Sequence, residues 1–183
     1  VSGSVVRATV PDEQTGQFFL SHLAAGAYDV VITADGRATA VIAGVPVSAA
    51  SGSAVVTRVS TSAVPITMPT STMHTISGTV ASDPTNTTDI AYVVSKQTFS
   101  GGGPTVTVKS QAVVLSETYS LSLPATAPLL GQYGSGTLPI LFTAPSGSGG
   151  LYDVEASAVG YKSETRKVDI SGGDMTQNFL LTP

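Results

Sequence analysis

An all-β fold is predicted for this chain by three observations: a duplicated strand motif, period-two alternation of apolar side chains, and a composition poor in helix formers. Residues 26–36, Gly-Ala-Tyr-Asp-Val-Val-Ile-Thr-Ala-Asp-Gly, recur as residues 150–160, Gly-Leu-Tyr-Asp-Val-Glu-Ala-Ser-Ala-Val-Gly. The chain therefore carries two copies of one β unit. Of its 183 residues 42% are hydrophobic and 11% are charged, with 19 Gly, 11 Pro and neither Cys nor Trp. The hydrophobic share is that of a folded chain, and a chain of this length buries about 70% of its unfolded surface, enough for one large core or two modest ones without disulfides. The charged share lies far below the roughly 25% usual in globular domains. Ser, Thr, Val, Ala and Gly take its place, the mixture that suits pleated strands joined by tight turns.

Taken in order, alternation at Val6, Ala8 and Val10 predicts a first strand and Phe18 and Leu20 a second. Tyr28, Val30, Ile32 and Ala34 form the buried face of a third. The turn residues of 12–16 separate the first two, those of 24–26 the next pair, and Asp35-Gly36 closes the third with a dipeptide suited to positive φ. Further strands are predicted over 38–45, 54–59 and 64–68, the last ending at Pro69. No window has helical spacing with caps. Residues 70–74 read as a linker, after which Thr75-Ile76-Ser77-Gly78-Thr79-Val80 opens the second copy. Its strands are predicted over 74–81, 89–99, 105–115, 118–123, 138–143, 151–158, 164–170 and 176–182. Tyr28, Tyr152 and Phe179 fall on the inward face.

These residues carry a family resemblance: Ile76-Ser77-Gly78-Thr79-Val80, then Tyr119-x-Leu121-x-Leu123, then Gly150-x-Tyr152-x-Val154-x-x-x-Ala158-x-Gly160-Tyr161, and finally Asn178-Phe179-x-Leu181. Their order resembles the carboxypeptidase regulatory-like domain, which is grouped with transthyretin-like and Cna B-type modules. The resemblance implies two tandem Greek-key, prealbumin-like β-sandwich domains, residues 1–70 and 74–183, of the kind exported bacterial proteins use as stalks, spacers or binding modules. It covers nearly all of the second copy. In the first it covers Phe18-x-Leu20, the 26–36 motif and the closing strand, but no Ser-Gly-Thr-Val opening stands at the expected distance. The first domain is accordingly expected to lack one or two opening strands and to present an unpaired edge; a smaller sandwich that begins with Val5 to Val10 is the alternative. The second copy departs from the family pattern by an inserted loop at 124–150, with the glycine-rich runs 131–136 and 146–150 around Leu138-Pro139-Ile140-Leu141-Phe142.

Several functions are disfavoured by charge. The net charge is −4 and the eight Lys and Arg residues are scattered, with Arg166-Lys167 the one adjacent pair. Nucleic acid and polybasic membrane contacts both need clustered cations. No apolar run approaches the roughly 18 residues of a membrane span. The sequence begins at Val1 without Met, so an upstream portion is expected. Low charge, abundant Ser and Thr and absent Cys point to the periplasm, the cell surface or the medium.

Catalytic groups are sparse. His22 and His74 are the two histidines, one beside a strand end and one at the junction of the copies, and neither has metal-ligand spacing or an evident acid partner. No Gly-x-Ser-x-Gly elbow occurs. Asp12-Glu13 and the Asp83/Asp89 pair fall in turns, where Asp caps its own backbone. A calcium site from Asp83, Asn86 and Asp89 matches no loop template. The glycine runs of the insertion are followed neither by a Lys nor by a helix, as a phosphate cradle requires. Cna B-type modules sometimes carry a Lys–Asn isopeptide bond with a nearby acid. Glu155 and Asn178 stand in suitable strands, but strand 75–81 contains no Lys, and Lys96 and Lys109 lie elsewhere. Asn86-Thr87-Thr88 is a glycosylation sequon, meaningful only in a eukaryotic secretory setting.

The expectation is thus a non-enzymatic structural or interaction module of a larger secreted or cell-surface bacterial protein, with no catalytic residues, metal or cofactor. Its partners would be other domains of the parent, a polysaccharide, or a protein docking on an exposed sheet edge. The alternative is a carbohydrate-binding module using the 124–150 loop, where Gln132 and Tyr133, together with Tyr161 at a turn, supply the candidate ligand contacts. The absence of Trp weighs against that alternative, because sugar platforms favour flat aromatic faces.

Overall fold

Period-two burial and turn glycines produce strands and nothing else among the described residues. The structure, a computed structural model, describes residues 7–48, 66–98, 105–133, 142, 143 and 149–183. In the first half, β1 (Gly26–Ile32) pairs antiparallel with β2 (Ala40–Val47). The register shifts between Tyr28 and Val30, where two residues of β2 oppose one of β1. Gly44 takes φ +71° at this bulge, a conformation that costs glycine little, and its N–H donates to Asp29 Oδ1 at 3.0 Å.

The second half begins with β3 (Met73–Ser82), whose burial alternates over most of its length. It continues through β4 (Ile90–Thr98), β5 (Thr105–Val114), β6 (Thr118–Pro124), β7 (Leu129–Gln132), β8 (Phe142–Thr143), β9 (Leu151–Ala158), β10 (Glu164–Asp169), β11 (Met175–Thr176) and β12 (Phe179–Leu181). One sheet runs β10-β9-β4-β5, antiparallel throughout. In another, β3 has β6 antiparallel on one side and the short β11 and β12 parallel on the other. Ile76, Val80, Leu121, Leu123 and Phe179 of the second sheet share one buried cluster with Ala91, Val93, Val154 and Tyr152 of the first. That shared core gives this part its β-sandwich character. Full burial of one such aliphatic side chain stabilises the fold by roughly 1.5–3 kcal/mol.

The third sheet joins the two halves. Its order is β1-β2-β7-β8, and residues 40–43 of β2 pair parallel with residues 129–132 of β7. The pairing is bracketed by two backbone bonds, Leu129 N–H to Thr39 O at 2.8 Å and Tyr133 N–H to Ala43 O at 3.1 Å. A second, small apolar cluster lies beneath it, with Val41 and Val106 buried and Val31, Val108 and Leu130 around them. The first half thus packs against β5.

Most of the predicted strands of the second half appear within one or two residues, and the 151–158 strand at both ends. The predicted 176–182 strand is divided into β11 and β12. Of 138–143 only residues 142 and 143 are described, and they form β8. The 54–59 strand lies outside the described residues, as do residues 64 and 65 of the 64–68 strand; residues 66–68 form no strand. The expected strands at 6–10 and 18–20 are corrected: the described residues there are irregular, with Val10 85% exposed and Phe18 and Leu20 half-buried on either side of an exposed Phe19. Alternation without a neighbouring strand to pair with does not make a strand. The intervening turn does form. Gly16 N–H donates to Asp12 O, and Asp12 Oδ1 accepts the Gln14 and Thr15 N–H groups. No described helix is long and apolar enough to cross a membrane.

Candidate functional site

The duplicated Tyr-Asp-Val motif performs different local work in its two copies. Tyr28 is half-buried and its hydroxyl donates to Ala24 O, four residues back, at 2.8 Å. Tyr152 is fully buried and donates to Pro124 O at 2.7 Å, tying β9 to the end of β6. Burial pushes the Tyr152 phenol well above its ordinary range. Asp29 accepts the bulged Gly44 N–H, whereas Asp153 accepts the Lys167 ammonium at 2.9 Å. The repeat therefore shares a backbone-bonded tyrosine and a closing glycine turn, with Tyr152 in the core and Tyr28 outside it, and not a chemical site.

The opening Ser-Gly-Thr motif has an equally structural explanation. A Cβ at Gly78 would overlap the Gln177 carbonyl, so the chain end can lie against β3 only where residue 78 has no side chain. The same carbonyl accepts the buried Tyr119 hydroxyl at 2.6 Å. Asn178, the crosslink candidate, directs its Oδ1 to the Thr79 N–H at 2.9 Å. Glu155 instead pairs with Lys96 at 2.7 Å.

The candidate ligand contacts do not assemble at one place. Tyr133 is half-buried, and its backbone extends β7 alongside Ala43. Gln132 is the last residue of β7, with its backbone opposite Ala43. Tyr161 lies in the β9–β10 turn, half-buried against the large core, with its N–H on Ala158 O at 3.2 Å. That turn is at the other end of β9 from Tyr152 and Pro124, and no hydrogen bond links Tyr161 to the insertion among the described residues.

The histidines are likewise apart. His22 is exposed beside Ser21, with φ +58°, while His74 Nδ1 bonds Ile170 O at 2.6 Å. Neither contacts a carboxylate among the described residues. Around the possible calcium loop, Asn86 Nδ2 donates to Asp89 Oδ2 at 2.8 Å, and Asn86 Oδ1 accepts the Thr88 and Asp89 N–H groups. These oxygens close an Asx turn. No cluster of three or more His, Cys, Asp or Glu able to hold a metal occurs among the described residues.

One concave site was not visible in the sequence. A cleft of about 340 Å³ lies between the 33–39 turn and the β5–β6 face, lined by Thr33, Asp35, Arg37 and Thr39 on one side and Met73, Val108, Lys109, Leu123 and Pro124 on the other. The turn is fixed from both flanks: Gly36 has φ +70°, Ala38 N–H donates to Pro69 O and Ser71 N–H donates to Gly36 O, each at 2.9 Å. Arg37 Nη1 reaches Met68 O at 3.3 Å and Lys109 Nζ reaches Ser122 O at 3.4 Å. Thr39 is 1% exposed, and its Oγ1 has no hydrogen-bond partner among the described residues.

No family model, curated protein or solved structure matches the chain. The cleft and the strand edges are therefore read from their own chemistry. Arg37 and Lys109 are 72 positions apart in sequence, and no motif spacing announces their meeting. The cleft combines two cations, one carboxylate, hydroxyls and an apolar wall, an arrangement that can bind a small polar group.

Proposed function

We infer that the chain is a non-enzymatic structural and interaction module of a larger secreted or cell-surface bacterial protein. In this reading its two halves are carboxypeptidase regulatory-like, prealbumin-type Greek-key units, and strand addition is how it joins its surroundings. The observation that carries the reading is the parallel pairing of β7 with β2, in which one half of the chain completes its sheet with a strand from the other half. Main-chain pairing of this kind supplies affinity without requiring a particular side-chain motif. At the opposite edge, β1 has β2 on one side and no described strand on the other. Its exposed Gly26, Ala27 and Asp29 leave that edge unobstructed, and a neighbouring domain of the parent could extend the sheet there.

Light scattering coupled to size exclusion tests this on the whole chain, with the β1 edge of a second copy as the available strand. Concentration-dependent association that disappears in Ala27→Lys supports the reading, because an edge lysine disfavours strand addition. A chain that stays monomeric at all concentrations, or that associates equally well as Ala27→Lys, overturns the role of β1. Hydrolytic turnover of ester, peptide or glycoside substrates that is lost in His74→Ala would overturn the non-enzymatic reading.

A further inference from the structure

The cleft beside the 33–39 turn carries charge that the fold does not use. Arg37 and Lys109 are both exposed, and among the described residues their side chains hold only backbone carbonyls. The ion pairs among the described residues are Lys96–Glu155, Arg166–Glu164 and Lys167–Asp153, none of which involves the cleft. On a chain of net charge −4, two cations without carboxylate partners in one concavity form a local anion-attracting centre.

The lining also narrows the ligand class. Among the described residues no aromatic ring contributes to the wall, so a neutral sugar would lack the stacking platform on which it usually depends. Charge-assisted hydrogen bonds have to provide the affinity instead. The volume of about 340 Å³ is at the small end of ligand sites, which span roughly 300–1,000 Å³. We propose that this cleft binds an acidic sugar, a uronate unit of a polysaccharide, through its carboxylate and ring hydroxyls. Arg37 and Lys109 take the carboxylate, the Asp35 carboxylate accepts from ring hydroxyls, and the half-buried Met73 and Val108 cover the ring's C–H face. This goes beyond the module reading, lies away from the β1 edge, and stands or falls independently of strand addition there.

The test is a titration of the isotope-labelled full chain with trigalacturonate, followed by amide shifts and calorimetry, with maltotriose, acetate and a short peptide bearing a free C-terminal carboxylate as comparison ligands. Saturable shifts centred on residues 33–39, 108–109 and 122–124 are expected with trigalacturonate alone. Arg37→Ala combined with Lys109→Ala should weaken binding about tenfold or more, the loss typical of a charge-assisted pair. Absence of saturable shifts overturns the site. Equal binding of acetate or the peptide, of maltotriose, or by the double variant overturns the ligand class or the assigned residues.

Discussion

Asn178 Oδ1 accepts the Thr79 backbone N–H at 2.9 Å and lies 3.3 Å from the Thr79 hydroxyl, so a side chain fills a gap in a β-ladder. β11 pairs with Ile76 and Ser77, β12 pairs with Val80 to Ser82, and Thr79 falls between them. Asn178→Ala should cost about 1 kcal/mol, the usual net value of such a bond. Asn178→Asp keeps the acceptor and should cost less at neutral pH. Urea unfolding of the two variants separates the outcomes; equal losses would mean that the ladder gap has no role.

Gly78, the residue before Thr79, is held to glycine by the Gln177 carbonyl lying where a Cβ would stand. Gly78→Ala should destabilise by about 1–3 kcal/mol, the ordinary cost of overpacking. The smaller entropic gain of alanine in the unfolded chain, about 0.4–1 kcal/mol, does not offset it. Denaturant unfolding measures the sum, and a stabilised variant would show that β11 and β12 can move aside freely.

Burial pushes the Tyr119 phenol up to about 12 from an ordinary 10.0, and Tyr152 moves the same way for the same reason. For an acid whose pKa is raised by folding, the stabilisation is intact below the unfolded value and is lost as pH rises through the folded one. Stability should therefore fall between about pH 10 and pH 12. Tyr119→Phe combined with Tyr152→Phe should flatten that fall while lowering stability at neutral pH, where the bonds to Gln177 O and Pro124 O are lost. Thermal melts across this range read both effects.

Asp169 behaves in the opposite sense. Its carboxyl is held below the ordinary range by hydrogen bonds from the Ser171 backbone and then its side chain, with the Ser171 N–H at 2.8 Å from Oδ1. Its contribution is present above the unfolded pKa and disappears as pH falls through the lowered folded one. Carbon-detected titration should place its midpoint below 3.8. Ser171→Ala should return it only part of the way, because the N–H remains.

How much of this was legible in the sequence depends on how local the cause is. The 151–158 strand was visible because Tyr152, Val154 and Ala156 alternate over one core face, and the Asp35-Gly36 turn because glycine permits Gly36 its φ of +70°. Val10 belongs to an alternating set yet is 85% exposed, and Phe18 and Leu20 alternate and are half-buried in an irregular segment, since period two shows that a segment can form a face and not that a partner strand exists. β7 was missed for the complementary reason. Leu129-Leu130-Gly131-Gln132 is too short and too ordinary to read as a strand alone, and its pairing comes from β2, in the other half of the chain. The cleft was hidden for the same reason: Thr39 reads as a strand residue and Lys109 as an exposed strand cation until β2, β5 and the 33–39 turn are packed together.

The parallel join of β7 to β2 is tested most directly by hydrogen exchange of the two amides that bracket it, Leu129 on Thr39 O and Tyr133 on Ala43 O. Both should exchange at least about a hundredfold more slowly than an unstructured loop, as amides closed by a sheet do. Exchange of both at unstructured rates, with the amides of β1 and β2 still protected, would contradict the join and leave the two halves without the strand that links them.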